Sequence, residues 1–555
     1  MRAGLLGVVH ATMYATAMSV VLAMAGCSYS TASRPRLADH VERPQRNVVV
    51  FIGDGMDVQR LHELLDAGML PNIHRTFVAG GVEVRDAVSS MPSVTYPNSS
   101  AIITGLYPGH HEIMGNFWFD RSRAVTRNYM TLATARDVNG DLMAPTIYDA
   151  LADRFTVSIL PQTHKGVVES IDLRGFFDWG WILGYYLAVD HEAGKAFPDV
   201  IDLANRVGRL PSLVVTYYPA IDELGHRYGP DSEEFLAAMV DLDQTVGRVT
   251  ATIEELGLSS STYYALIADH GMVPARVSPS EKRVQCCDFI GWLKKDRGLK
   301  LLDRSLDDAS YADRLEKLRT YDAVASVDAG RVAMIHLRSK GDWLHRPSPD
   351  EVRAWAMQTP AIHEQPAVEM VASRGGTGQA GVDQVKVWSR HGSLTVERRV
   401  NDGRKQYRIT DYVGGEGLHS CLFFGAYGDD GTWHDSREWL VASASSRYPD
   451  FVAQVVEMFD SPRTGDLVVF AADGWLLYPN EAAGHGSVLH RDMFVPMFFA
   501  GPDLPAGGQI AFGRLVDFTP TLLGLLGESG RIKTFPTLDG IDLSSFLRHP
   551  APPSP

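Results

Sequence analysis

Asn47-Val-Val-Val-Phe-Ile-Gly-Asp-Gly55 is a short, unbroken apolar run of mostly β-branched residues that ends on an aspartate between two glycines. A run with no polar face predicts a strand buried on both sides, as in a parallel sheet, with Asp54 delivered at its carboxyl end. Ligands of open α/β sheets bind along that edge. A single aspartate there is more often a turn residue than a functional one, so the reading depends on recurrence. The pattern does recur. Ser212-Leu-Val-Val-Thr-Tyr-Tyr218 is a second β-rich run, followed by Pro219 and a segment carrying Asp222 and His226. Tyr263-Tyr-Ala-Leu-Ile-Ala268 is a third and ends in Asp269-His270-Gly271. Between them, Asp231-Ser232 opens a helix whose Phe235, Met239, Leu242, Val246, Val249, Ile253 and Leu256 are spaced by fours and threes until Gly257. Strand, helix, strand in that order predicts a right-handed crossover into a parallel sheet. The fold class expected is α/β: a mostly parallel sheet with helices on both faces.

Working outward, Ser93-Val-Thr-Tyr-Pro-Asn98 runs on through Thr104-Gly-Leu-Tyr-Pro108 to Asn116. Pro97 restricts the backbone before it, and Ile102 and Ile103 predict a helix beginning near Thr95. A threonine at a helix N-terminus has backbone N–H groups nearby that can bind an anion. Thr95 is the candidate nucleophile and Asn116 the group that holds substrate beside it.

The whole chain has 555 residues, more than one hydrophobic core usually supports, so a large domain with an insertion or two domains is expected. Its net charge is −15, from 67 acidic against 52 basic residues. That argues against a general nucleic-acid binder, whose affinity comes largely from Lys and Arg on phosphates, but leaves room for a small anionic substrate at a metal-rich site. Residues 1–26 read as an export signal: Arg2, then an apolar stretch from Ala15 to Gly26 that is shorter than the ~20 residues of a membrane span. Leu22-Ala-Met-Ala-Gly-Cys27 resembles a lipobox, making Cys27 the lipidated first residue of the mature chain; Ala23-Met-Ala25 also fits ordinary cleavage and free secretion. The expected location is the bacterial cell envelope, with membrane contact only through a lipid on Cys27. Residues 27–46 read as a tether. Cys286, Cys287 and Cys421 leave room for one disulfide to Cys421.

The catalytic domain is expected to span 47–285 and 463–545, interrupted by an inserted α+β cap at 286–462 and followed by a tail at 546–555. Within the insert, residues 384–389, 393–400 and 405–410 alternate as three strands of a meander, with turns at His391-Gly392 and Asp402-Gly403. Gly376-Thr-Gly-Gln-Ala-Gly381 mimics a dinucleotide loop but leads into a strand, so no helix N-terminus would meet a pyrophosphate. Asp466-Leu-Val-Val-Phe-Ala471 marks the return of α/β texture, and Gly484-His485-Gly486 follows in a loop.

Asp222 and His226 are four apart, which brings both to one side of a helical turn. Asp269 and His270 sit together at a strand end, and Asp54 and His485 come from opposite ends of the chain. Carboxylate oxygens with imidazole nitrogens favour zinc, with manganese, iron or cobalt as alternatives. Two divalent cations and three aspartates leave one positive charge, which suits a phosphate anion beside a deprotonating hydroxyl. Each pair alone has a bland reading as a capped turn or a chance spacing. His490 competes with His485, which is preferred for its flanking glycines. His110 and His111 are assigned to the loop that positions Asn116.

Taken in order, Asp54, Thr95-Tyr-Pro-Asn98, Thr104-Gly-Leu-Tyr-Pro108, Asn116, Asp222-x-x-x-His226, Asp269-His270-Gly271 and His485 resemble the alkaline phosphatase superfamily. The nearest branch is the nucleotide pyrophosphatase/phosphodiesterase family. That resemblance implies one zinc held by Asp222, His226 and His485, and a second held by Asp54, Asp269, His270 and the Thr95 oxygen. It also implies a phosphate oxygen bound by Asn116 and the Thr95 N–H. Glu112 departs from the glycine usual after the His of that loop. For the substrate-side aromatic pair, Tyr217, Tyr218, Phe117 and Trp118 are the candidates. The expected activity is hydrolysis of phosphodiester or pyrophosphate bonds in a small phosphate ester, through a phosphothreonine. Diesters are favoured because Asn116, and no Lys or Arg, flanks the nucleophile. Phosphomonoester or phosphonate hydrolysis is the alternative on the same metals, and an inactive cell-surface binding protein is the alternative of another class. All the ligands being present weighs against the last.

Overall fold

The computed structural model describes residues 36–550, except 132–133, 174–179, 181–182, 278–283, 305, 307–309, 377–380, 415–426 and 428–430. The expected export signal, Cys27, Cys421 and the middle of the Gly376–Gly381 loop therefore lie outside the described residues. Asn47–Gly53 forms a strand buried along its whole length, which requires cover on both faces. It is a central strand of an eight-stranded sheet flanked by helices. The strand order is Gly508–Arg514, Gly81–Val88, Met497–Ala500, Thr262–Ile267, Asn47–Gly53, Leu213–Tyr218, Thr156–Ile159, Glu169–Ile171. Every pairing is parallel except the two made by Met497–Ala500. The amphipathic helix is Glu233–Glu255, and the Ser232 side chain caps it by accepting the Phe235 N–H. Its Phe235, Met239, Leu242, Val246, Val249 and Ile253 are buried in the core of this sheet.

A second sheet of nine strands stands beside the first. Its order is Leu301–Leu302, Ala323–Asp328, Val332–Leu337, Leu467–Ala471, Val368–Arg374, Val382–Ser389, Gly392–Asn401, Arg404–Gly414, His434–Asp435. All its pairings but the first are antiparallel, and the expected meander is its outer part. Leu467–Ala471 corrects the expectation that the catalytic sheet resumes at 463: it lies in the middle of this second sheet, between Val332–Leu337 and Val368–Arg374. A strand buried on both faces reads the same in either sheet.

The flanks are shorter than expected. Residues 36–46 pack on the body: Val41 is buried, and Glu42 pairs with Arg209 across an isolated bridge. At the other end, Leu547 of the helix Ser544–Arg548 lies in the main core, so the tail starts later than 546. Cys286 and Cys287 are free thiols. Among the described residues, no helix is long and apolar enough to cross a membrane.

Candidate metal centre and nucleophile

The carboxyl ends of the central strands converge as their sequences imply. Asp54 follows Asn47–Gly53, and Asp269 and His270 follow Thr262–Ile267 next to it. Gly55 turns the chain away with φ +65; a Cβ there would stand 2.7 Å from Asp222 Oδ1, so only glycine allows the close approach. Beyond Leu213–Tyr218, Asp222 and His226 sit on a helix, Ala220–Tyr228, which places them one turn apart on the same side. His485 enters from the chain after the second sheet.

These six side chains form two groups whose ligand atoms lie within 4.8 Å of one another: Asp222, His226 and His485, and Asp54, Asp269 and His270. Asp222 Oδ1 lies 3.5 Å from His226 Nε2 and 3.4 Å from His485 Nε2. His270 Nε2 lies 3.1 Å from Asp54 Oδ1 and 3.5 Å from Asp269 Oδ2. For tetrahedral ligands at about 2.1 Å from a cation, the ligand–ligand edge is roughly 3.4 Å, so the spacings fit a shared ion. Asp54 Oδ1, Asp222 Oδ1 and Asp269 Oδ2 are buried and have no hydrogen-bond donor among the described residues. Buried oxygens without donors are costly unless a cation satisfies them. The residues fit two divalent ions.

Electrostatics agree. Burial, with the Asp54 charge beside it, pushes Asp269 well above the usual carboxylate range, and burial lifts Asp222 to about 6. Burial opposes charge on His270, yet the Asp269 and Asp54 carboxylates outweigh it and raise the imidazole to about 10. The same excess of negative charge that holds a proton there would hold a metal and release that proton. His485 is driven well below its ordinary value by burial and by the charges of His270 and His226, which keeps its imidazole in the neutral, ligating form.

Partners one layer out fix the ligands. His226 Nδ1 pairs with Glu481 Oε2 at 2.5 Å, and His485 Nδ1 donates to the Ser93 carbonyl at 2.8 Å. The Tyr217 hydroxyl donates to Asp54 Oδ2. Such contacts set which ring nitrogen would face a metal and how the carboxylate would be oriented toward it. Glu481 was not legible in the sequence; its only signal is an acidic residue four positions before His485.

Thr95 is the first residue of the helix Thr95–Thr104, and its Oγ1 lies 3.2 Å from His270 Nε2. Asn116 Oδ1 accepts the Tyr96 N–H at 3.0 Å, which leaves the Asn116 Nδ2 donor for a ligand. Thr95, Asn116, Asp54, Asp222, His226 and His485 line one cavity of about 850 Å³ between the two sheets. Asp269 and His270 lie fully buried behind it. Of the aromatic candidates, Phe117 and Tyr217 line the cavity, whereas Trp118 and Tyr218 are buried in cores. Tyr478, which the sequence did not single out, also lines it and donates to Glu481 Oε2 at 2.8 Å. His490 belongs to neither ligand group. Glu112 has φ 66, the left-handed conformation that glycine adopts most readily, and its side chain meets Arg463 Nε at 3.3 Å. His111 is buried in the same loop and its Nδ1 accepts the Ile113 N–H at 3.2 Å, while His110 pairs with Asp539, Asp460 and Glu457 away from the metal ligands.

The profile of the family described as Type I phosphodiesterase / nucleotide pyrophosphatase matches residues 48–346. An uncharacterised pyrophosphatase/phosphodiesterase of Schizosaccharomyces pombe is 28% identical over 237 residues, 41% of this chain and 45% of that protein. Bovine ectonucleotide pyrophosphatase/phosphodiesterase family member 3 is 25% identical over 244 residues, 44% of this chain and 26% of its own length. The chain thus spans less than half the length of these curated relatives. Among solved structures, murine ectonucleotide pyrophosphatase/phosphodiesterase 5 aligns with a TM-score of 0.53 at 16% identity, covering 87% of this chain and 95% of that one. That likeness carries the fold. With five of the six Asp/His ligands, Thr95 and Asn116 inside the matched stretch, the chain belongs to the Type I phosphodiesterase / nucleotide pyrophosphatase family.

Proposed function

We propose that this chain hydrolyses phosphodiester or pyrophosphate bonds in small phosphate esters, nucleotides among them, with Thr95 as nucleophile. The observation that carries the reading is the Thr95 hydroxyl at a helix N-terminus, 3.2 Å from a ligand of one Asp/His group and in one cavity with the other. Asp222, His226 and His485 would hold one divalent ion, zinc by the chemistry of the donors, and Asp54, Asp269, His270 and Thr95 Oγ1 a second; such ions would lower the hydroxyl pKa and supply positive charge for the attacking and leaving oxygens. Thr95 Oγ1 attacks phosphorus in line, the bond to the leaving oxygen breaks, and the phosphoryl group rests on Thr95. Water then attacks phosphorus from the side opposite Thr95 Oγ1, which the leaving group has vacated, and the bond between phosphorus and Oγ1 breaks to free the threonine. Asn116 Nδ2 and the Thr95 N–H donate to a non-bridging oxygen, where a hydrogen bond is strengthened as charge develops. Asn116 is a neutral donor, so it favours the single charge of a diester over the heavier charge of a monoester. A murine structural relative was solved as an inactive threonine-to-alanine variant in complex with AMP, which supports both the nucleophile and the nucleotide class.

The test compares bis- and mono-p-nitrophenyl phosphate as substrates before chelation, after it and after zinc is restored. Expected are a preference for the diester, loss on chelation and recovery with zinc; chelator-insensitive turnover would falsify the metal-centred reading. We also place the protein in the bacterial cell envelope, anchored by lipid on Cys27, on the strength of Leu22-Ala-Met-Ala-Gly-Cys27. Cys27→Ser should move it from the membrane to the soluble fraction, and an unchanged membrane association would reject the anchor.

A further inference from the structure

The turn between the second-sheet strands Ala323–Asp328 and Val332–Leu337 reaches into the wall of the catalytic cavity. Its bonds do not stay within its own sheet. Asp328 Oδ2 accepts the Asn116 N–H at 2.5 Å and the Phe117 N–H at 3.2 Å. The carboxylate lies so close to that loop that a Cβ on Gly115 would be 2.6 Å from Asp328 Oδ2. Ala329, next in the turn, takes φ 49, a costly conformation for a residue with a Cβ, and its carbonyl accepts the His485 N–H at 2.9 Å. One turn of the second sheet therefore meets both the substrate-side loop and the loop of a metal ligand.

Asn116 is held at three points. Its carbonyl accepts the Tyr129 N–H at 2.9 Å, its Oδ1 accepts the Tyr96 N–H at 3.0 Å, and its own N–H goes to Asp328. Tyr129 and Tyr96 belong to the same stretch of chain as Asn116, between Thr95 and Tyr129, whereas Asp328 comes from the second sheet. An ionised carboxylate receiving two successive N–H groups makes a short, charge-assisted anchor. A donor that must meet a phosphate oxygen needs its backbone fixed, because small displacements of a positioning group are expensive in rate.

We propose that Asp328 is a positioning residue for phosphate recognition: it fixes the backbone at Asn116 and Phe117 so that the Asn116 amide is presented to the non-bridging oxygen. This rests on the role given to Asn116 above, and it makes one carboxylate of the second sheet part of the recognition of substrate. The test measures kcat, KM, metal content and inorganic phosphate affinity for zinc-loaded wild type, Asp328→Ala, Asp328→Asn, Asn116→Ala and the double variant Asn116→Ala with Asp328→Ala. Asp328→Ala should lower kcat/KM for the diester and weaken phosphate binding roughly tenfold to a hundredfold with the metal content unchanged. In the Asn116→Ala background the same substitution should cost less than about threefold, because no amide remains to be presented. Asp328→Asn keeps an oxygen acceptor and should recover most of the loss, which also covers the case of an Ala variant that does not fold. An equal loss in both backgrounds overturns the proposal, and so does a loss that tracks metal content, which would assign the turn to His485 instead. If wild type neither cleaves the diester nor binds phosphate, the functional reading fails by itself, independently of the variants.

Discussion

The two sheets contribute to one cavity in different ways. In the eight-stranded sheet, neighbouring parallel strands all end at the same edge, so Asp54, Asp222, Asp269 and His270 arrive together from well-separated stretches of sequence. Parallel order converts strand ends into a cluster. The nine-stranded sheet is almost wholly antiparallel, so its successive strand ends alternate between opposite edges. It reaches the cavity through turns and through the chain that leaves it: Asp328, Glu481 and His485. The lesson is that the first sheet gathers five of the six candidate ligands, while the second adds His485 and two carboxylates that hold groups of the first.

If that division is right, damage should be graded by sheet. Thr95→Ala, at the edge of the parallel sheet, should reduce turnover by more than about a thousandfold while zinc content and melting temperature stay near wild type. Near-normal turnover in this variant would remove the nucleophile assignment altogether. Glu481→Gln, on the chain leaving the second sheet, should leave chemistry in place but weaken zinc at Asp222, His226 and His485 by roughly tenfold to a hundredfold. Titration with a competing chelator would then show one weakened site and one unchanged site. Two equally weakened sites would mean that the carboxylate does not act through His226.

The seam between the sheets should respond in stability alone. His110 lies on a short helix that packs near the nucleophile helix, and it pairs with Glu457 and Asp460 from the second sheet's side and with Asp539. Burial opposes its charge, but hydrogen bonds to Asp460, Asp539 and Glu457 outweigh burial and raise it from 6.5 to about 11. A raised folded-state value means the contribution is complete below the unfolded value and disappears as pH rises towards the folded one. Between about pH 7 and about pH 10, wild type should therefore lose about 4 kcal/mol of stability that His110→Gln does not lose. Urea unfolding of both proteins at the two pH values reads this, and parallel losses would exclude His110 as the source.

The strand ends were legible because their signal is local: an apolar run and then Asp or Asp-His, which the structure places at one edge. Asp222 and His226 were legible as a pair because i and i+4 meet on a helix whether or not the helix is foreseen. Leu467–Ala471 was assigned to the wrong sheet since periodicity reports burial on both faces, not the identity of the neighbouring strands. Asp328 and Glu481 were illegible for another reason. They act by accepting hydrogen bonds from groups remote in sequence, and a carboxylate in that role looks like any surface acid until the fold brings the donor to it.

The buried pair between Arg331 and Asp492 has a consequence for timing. Arg331 Nε and Nη2 hold both oxygens of Asp492 at 2.8 and 3.0 Å, while Asp492 Oδ1 accepts the Ser487 N–H at 3.1 Å and its carbonyl accepts the Gly271 N–H at 3.1 Å. The strand end that carries His270 and the loop that carries His485 are thus fastened to the same aspartate. A growing chain makes Asp54, Asp269 and His270 long before Asp492 and His485, so the first ligand group exists while its latch does not. The two groups of candidate ligands can therefore be complete only after residue 485 has been made, and the latch that ties them together only after residue 492.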